Sequence, residues 1–153
     1  IIVIWEEKYI HKAFENAKMY LTTGPSNVEN YRAAVIALKN AQRDYPDIKY
    51  AEEMDFLMIR SQYMYAKNSI PVRQEDRYNE AADLYNEFTE NYPKSKFTND
   101  AKQLKSDIEA GIAFNKQEMA TFAADQAKYM EMLKRTGKIK DTTKVNTTDI
   151  KNK

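Results

Sequence analysis

Cysteine is absent from the 153-residue chain, and glycine (3), proline (4) and histidine (1) are scarce. Without cysteine there is no disulfide framework, thiolate metal site or cysteine nucleophile. With His11 as the single imidazole, a multi-histidine metal centre is excluded and a Ser-His-Asp triad is disfavoured. No GxxxxGK[ST] or GxGxxG pattern occurs, so phosphate-cradling loops are lacking as well. No run of about 18 apolar residues exists to span a bilayer. A net charge of +1 gives the whole molecule little attraction for nucleic acid. Charge is nevertheless unevenly spread. Residues 134–153 carry seven basic and two acidic side chains, which leaves the rest of the chain net acidic.

What is abundant is helical periodicity. Tyr9, Ala13, Phe14, Ala17, Tyr20 and Leu21 fall three and four apart, on one face of a helix. Gly24-Pro25-Ser26-Asn27 ends it. Tyr31, Ala34, Val35, Leu38, Ala41 and Tyr45 form a second stripe, stopped by Tyr45-Pro46. Tyr50, Met54, Leu57, Met58 and the Tyr63–Tyr65 cluster make a third. The segment Lys67–Arg77, with Ile70-Pro71 and five charges, reads as a loop. Tyr78, Ala81, Ala82, Tyr85 and Phe88 make a fourth helix, stopped by Tyr92-Pro93, and Phe97, Ala101, Leu104 and Ile108 a fifth. Strand-like alternation is missing, so the expected fold is all-α.

The second and fourth helices are copies. A shift of 47 superposes Tyr31 on Tyr78, Ala34 on Ala81, Tyr45-Pro46 on Tyr92-Pro93, Tyr50 on Phe97 and Leu57 on Leu104. Small Ala34 and Ala81 allow close helix approach, and the tyrosines fill the space beside them. Each proline stops one helix and resets the chain for the next, with Asp47 and Ser95 in capping position. One hairpin cannot bury its apolar face alone, so such units stack into a continuous core.

Ala34/Pro46 and Ala81/Pro93 resemble the tetratricopeptide repeat, which places Ala and Pro twelve positions apart. Its usual period of about 34 implies about 13 inserted residues here. The expected places are Lys67–Arg77 and, for a smaller insertion, Gly24–Asn30. Both would lie on one edge of the stack as a binding rim, which makes Pro25, Asn27, Ile70 and Pro71 candidate partner contacts. Over residues 8–115 the likeness is closer. Lys12-Ala13-Phe14-Glu15-Asn16-Ala17-Lys18-Met19-Tyr20, Tyr31-Arg32-Ala33-Ala34-Val35 and Tyr92-Pro93-Lys94-Ser95-Lys96-Phe97 look like the D-subunit lipoproteins of the outer-membrane β-barrel assembly machinery, the BamD family, in its Bacteroidetes form. The resemblance implies a periplasmic scaffold at the inner face of the outer membrane of a Gram-negative bacterium. It also implies docking on the POTRA domain nearest the barrel of the core subunit, contact with unfolded outer-membrane proteins, and a lipid anchor on an N-terminal cysteine. That cysteine and the family's further N-terminal repeats are not in this sequence. The apolar start Ile1–Trp5 is accordingly read as the remnant of a longer polypeptide, of which this chain is the C-terminal half. Two other readings stand beside it: a periplasmic tetratricopeptide adaptor in envelope or cell-wall assembly, and a glycan-binding lipoprotein.

No constellation reads as catalytic, and no metal, cofactor or nucleic acid is expected. Glu6-Glu7, Glu52-Glu53 and Glu75-Asp76 are sequence neighbours that point about 100° apart on a helix, so they read as solvated faces. The expected organisation is tetratricopeptide-like repeats over 1–110, an amphipathic helix over 111–135 and a basic polar tail over 136–153. Gly111 is expected to loosen or bend the junction. Met119, Phe122, Ala123, Gln126, Tyr129, Met130 and Leu133 trace a stripe three and four apart. It reads either as a cap on the solenoid end or as a helix laid on a partner protein, for which Met119, Phe122, Tyr129, Met130 and Leu133 are the candidate contacts. The tail is too polar to fold alone and is expected to order along another chain or to meet acidic lipid. Asn146-Thr147-Thr148 and Asp141-Thr142-Thr143 match short glycosylation patterns.

Overall fold

A computed structural model describes residues 2–45 and 50–139. Among these every element is a helix: α1 (Ile2–Thr23), α2 (Glu29–Asp44), α3 (Ala51–Lys67), α4 (Pro71–Asn91) and α5 (Thr98–Arg135). Two compact units divide the chain within α5, Ile1–Lys116 and Gln117–Lys153. In the first, α1 packs on α2, α2 on α3 and α3 on α4. The short loops within α1–α2 and α3–α4 make each an antiparallel hairpin. The fold is an all-α helix-hairpin solenoid, as the repeat requires.

Helix α3 is central. Its buried residues lie all round its circumference, because it serves two cores. Met54, Leu57 and Met58 join Phe14, Ala17, Leu38 and Ala41 from the first hairpin. Phe56, Ile59 and Ala66 join Tyr78, Ala81, Tyr85 and Phe88 of α4 and Ala101 and Ile108 of α5. Two buried polar side chains on α3 have partners. Ser61 Oγ donates to the Leu57 carbonyl at 2.7 Å, and Gln62 Nε2 to Glu80 Oε2 at 2.8 Å.

The copies of the second helix are physically equivalent. Tyr31 and Tyr78 are buried, as are Ala34 and Ala81. The helix-ending tyrosines share one backbone conformation, φ −138°, ψ 72° at Tyr45 and φ −130°, ψ 64° at Tyr92, and each N–H donates to the carbonyl four residues back at 2.9 Å. A following proline excludes the α region, and both tyrosines have left it. The partner helices are less alike. Tyr50 stacks on Phe14 at 5.1 Å, and its counterpart Phe97 stacks on Phe56 at 4.8 Å. Phe56 corresponds to Tyr9 under the shift of 47, so the stacked aromatic is five residues out of register between the hairpins.

Two expectations are corrected. Lys67–Arg77 is not a long loop. Only 68–70 separate α3 from α4, and Pro71 stands at the first helical position, where its missing N–H costs nothing. Ile70 before it is extended (φ −62°, ψ 145°). Asn68 Nδ2 donates to the Met64 carbonyl and Ser69 Oγ to the Tyr65 carbonyl, closing the end of α3. Gln74 Nε2 donates to the Ser69 carbonyl at 2.9 Å, and Arg77 donates to Ser69 Oγ from one turn further on. The inserted length therefore lengthens a helix. Under the shift of 47 the start of α2 at Glu29 falls on Asp76, whereas α4 begins more than a turn earlier.

Second, Glu52 is not a solvated charge: it is half-buried and holds Ser95. Gly111 lies inside α5, which runs unbroken through it. Of the two expected caps, Ser95 Oγ accepts the Phe97 N–H at 3.0 Å just ahead of α5. Asp47 lies outside the described residues, as do the tail beyond 139 and both glycosylation patterns.

Candidate interaction surface

The α1–α2 and α3–α4 loops meet at one end of the first unit. Tyr65, near the end of α3, donates its hydroxyl to Glu29 Oε1 at the start of α2, at 3.3 Å. The Arg77 guanidinium lies 4.0 Å over the Tyr65 ring. The four loop candidates are exposed there but differ in role. Asn27 is structural: its Oδ1 accepts the Glu29 N–H at 3.1 Å, closing the turn ahead of α2. Pro25 stands free in the turn. Pro71 starts α4, and its carbonyl accepts Asn115 Nδ2 at 2.9 Å. Ile70 is 63% exposed and makes the most apolar loop contact available to a partner.

Two residues join it that sequence reasoning passed over, Val72 at 64% and Phe114 at 62% exposure. Val72 follows Ile70, inside α4, and Asn115, the neighbour of Phe114 in sequence, holds α5 against the start of that helix. The Asn115 side chain is buried and bonds both Pro71 and Gln74 Oε1 (3.2 Å), tying α5 to the start of α4. Lys116 pairs with Glu75 at 3.2 Å beside it. The sequence signal was an asparagine seven positions after Ile108 and fourteen after Ala101, in register with the buried face of α5.

At the other end of α4, the Tyr92–Ser95 loop is held on the first turn of α3. Ser95 Oγ donates to Glu52 Oε1. Asp55, one turn on from Glu52, accepts Gln42 Nε2 at 2.5 Å and also bonds Tyr92. Burial raises the Asp55 pKa above the ordinary 3.8, and its two hydrogen bonds act against that rise. The Tyr92 hydroxyl is raised as well, by burial first and then by the charge of Asp55. The site joins two helices and a loop, and it has no counterpart in the first hairpin: Trp5 and Lys8 stand where the shift of 47 would place Glu52 and Asp55.

The second unit carries the stripe. Phe122 is 59% exposed, Tyr129 58% and Met130 44%, whereas Met119 and Leu133 are half-buried. Phe122, Asp125, Gln126, Tyr129 and Met130 line a shallow open depression. Met132 is exposed as well, and was not among the candidates.

Elsewhere, His11 is exposed and lies 6.4 Å from the Tyr50 ring. Among the described residues no group of three or more histidine or acidic side chains comes together to hold a metal ion. Among the same residues no helix is long and apolar enough to cross a membrane. No family model matches the chain, and no curated protein matches it.

Proposed function

We propose that the chain is a non-catalytic scaffold of the outer-membrane β-barrel assembly machinery, held at the periplasmic face of the outer membrane. It docks on the POTRA region of the core barrel subunit. The observation that carries this reading is the repeated helix-ending Tyr-Pro unit, which keeps one conformation at Tyr45 and Tyr92 within an all-helical stack. The second copy continues as Tyr92-Pro93-Lys94-Ser95-Lys96-Phe97, the stretch that resembles the BamD family.

Supporting it is the loop end of the stack. Exposed Ile70, Val72 and Phe114 sit around a framework fixed by Asn115, Tyr65 and Arg77. Apolar side chains on a stiff base suit recognition of a folded partner, since little ordering cost falls on the scaffold. The mechanism is geometric. Binding energy at the loop end holds a mobile domain in one orientation, and no bond is made or broken.

The test is affinity purification of the tagged protein from detergent-solubilised outer membranes, followed by identification of what is retained. Recovery of the barrel-assembly core subunit is expected. A preparation that retains envelope or cell-wall enzymes without that subunit would replace this reading with the adaptor.

A further inference from the structure

The stripe on the second unit has a chemistry of its own, independent of the loop end. Met119, Phe122, Gln126, Tyr129 and Leu133 follow one another at spacings of three, four, three and four. That is the seam of a two-helix contact. Beside it run Ala120, Ala123, Ala124 and Ala127, all exposed and small enough for a second helix to approach closely. The depression lined by Phe122, Asp125, Gln126, Tyr129 and Met130 lies at its middle.

Charge selects the occupant. Residues 117–127 carry two acidic side chains, Glu118 and Asp125, and no basic one. Residues 128–138 carry four basic side chains, Lys128, Lys134, Arg135 and Lys138, against Glu131. The pairs within the helix, Lys128–Asp125 at 3.8 Å and Arg135–Glu131 at 2.6 Å, are exposed and leave this division in place. A second copy laid antiparallel sets each acidic half against a basic half, and a parallel copy sets like against like. Gln126, the one polar residue in the seam, lies near the centre, where a two-fold axis brings it to its own copy. An amide both donates and accepts, so it is complementary to itself.

We infer that α5 residues 117–135 form an antiparallel two-helix contact with the same segment of a second copy, with Phe122, Gln126, Tyr129 and Met130 at its centre. One pair of short helices falls at the small end of interface sizes, so the dimer is reversible and dependent on concentration.

The experiment uses the full chain in sedimentation velocity from about 1 to 500 µM, together with site-specific crosslinking. A monomer–dimer equilibrium is expected. Phe122→Glu with Tyr129→Glu raises the dissociation constant at least about tenfold, with helicity and Tm unchanged, since both residues are exposed. The chain has no native cysteine, so introduced ones report without background. Gln126→Cys crosslinks to itself. Met119→Cys and Leu133→Cys crosslink when mixed and not alone, because like positions then lie about 21 Å apart, far beyond disulfide reach. A chain that stays monomeric across the range overturns the inference. So does self-crosslinking of Leu133→Cys alone, which means a parallel pair, or a dimer that the double glutamate variant leaves intact. Because the loop end is untouched by these changes, capture of the core subunit is read separately.

Discussion

The ring of Tyr78 occupies the space that a side chain on Gly111 would need: a Cβ built there would lie 2.5 Å from Tyr78 Cζ and 2.7 Å from its hydroxyl oxygen. Tyr31, the counterpart of Tyr78, stands against Gly24 in the same way. In both copies the repeat tyrosine is buried because a neighbouring element presents a glycine to it. Gly24 follows α1, which precedes its tyrosine, and Gly111 lies in α5, which comes after.

Gly111→Ala therefore destabilises the protein although alanine is the better helix former by about 1 kcal/mol. The ring is buried and cannot swing aside, so overpacking outweighs propensity and a net loss of about 1–2 kcal/mol is expected in urea unfolding. In a Tyr78→Ala background the same change becomes neutral or stabilising, which isolates the contact as the cause.

Stability responds to pH through Asp55. Its pKa is raised in the folded state, so between 3.8 and the folded value the native protein binds more protons than the unfolded chain. The Asp55 contribution is thus most favourable at low pH and is lost as pH rises through that window. Asp55→Asn removes this component, and the difference in stability between variant and native protein should vary with pH only there. Asp55→Ala instead leaves Gln42 and Tyr92 without their acceptor and costs about 1–2 kcal/mol.

Ser95 links two functions in one hydroxyl, accepting the Phe97 N–H and donating to Glu52. Ser95→Ala is expected to lower stability by about 1 kcal/mol, with Glu52→Gln losing less. A double-mutant cycle between the two should return a coupling of about 0.5 kcal/mol or more. Additive effects would mean that the loop is not held through this bond.

Asn115→Leu keeps the volume of the side chain but leaves the Gln74 amide oxygen without its donor. A loss of about 1–3 kcal/mol is expected, with faster amide exchange at the start of α4 than elsewhere in that helix.

Elements built on local periodicity were legible in the sequence. The stripes of α1 to α4 and the repeated tyrosines and alanines announced the hairpins, because a core face recurs every three to four residues whatever lies opposite. Features that depend on a distant partner were not. Lys67–Arg77 looked like a loop because proline and charge break helices in isolation, yet Pro71 starts α4, and Arg77 and Gln74 turn back to close the loop before it. The packing role of Gly111 was hidden because nothing nearby in sequence shows the Tyr78 ring, 33 positions away. Glu52 looked solvated for the same reason, its partner Ser95 being 43 residues on. At the candidate surface, Ile70 and Pro71 were named from the inserted stretch Lys67–Arg77. Val72 and Phe114 were passed over, because Val72 stood in the stretch read as a loop and Phe114 lies between the stripe that ends at Ile108 and the one that begins at Met119.

The most direct test of the scaffold reading is a binding titration between this chain and the purified periplasmic domains of the barrel-assembly core subunit. Saturable binding is expected, with Ile70→Asp and Val72→Asp together weakening it at least about tenfold at unchanged thermal stability. No measurable binding by the native chain, or binding that the paired substitution leaves as it was, would contradict it.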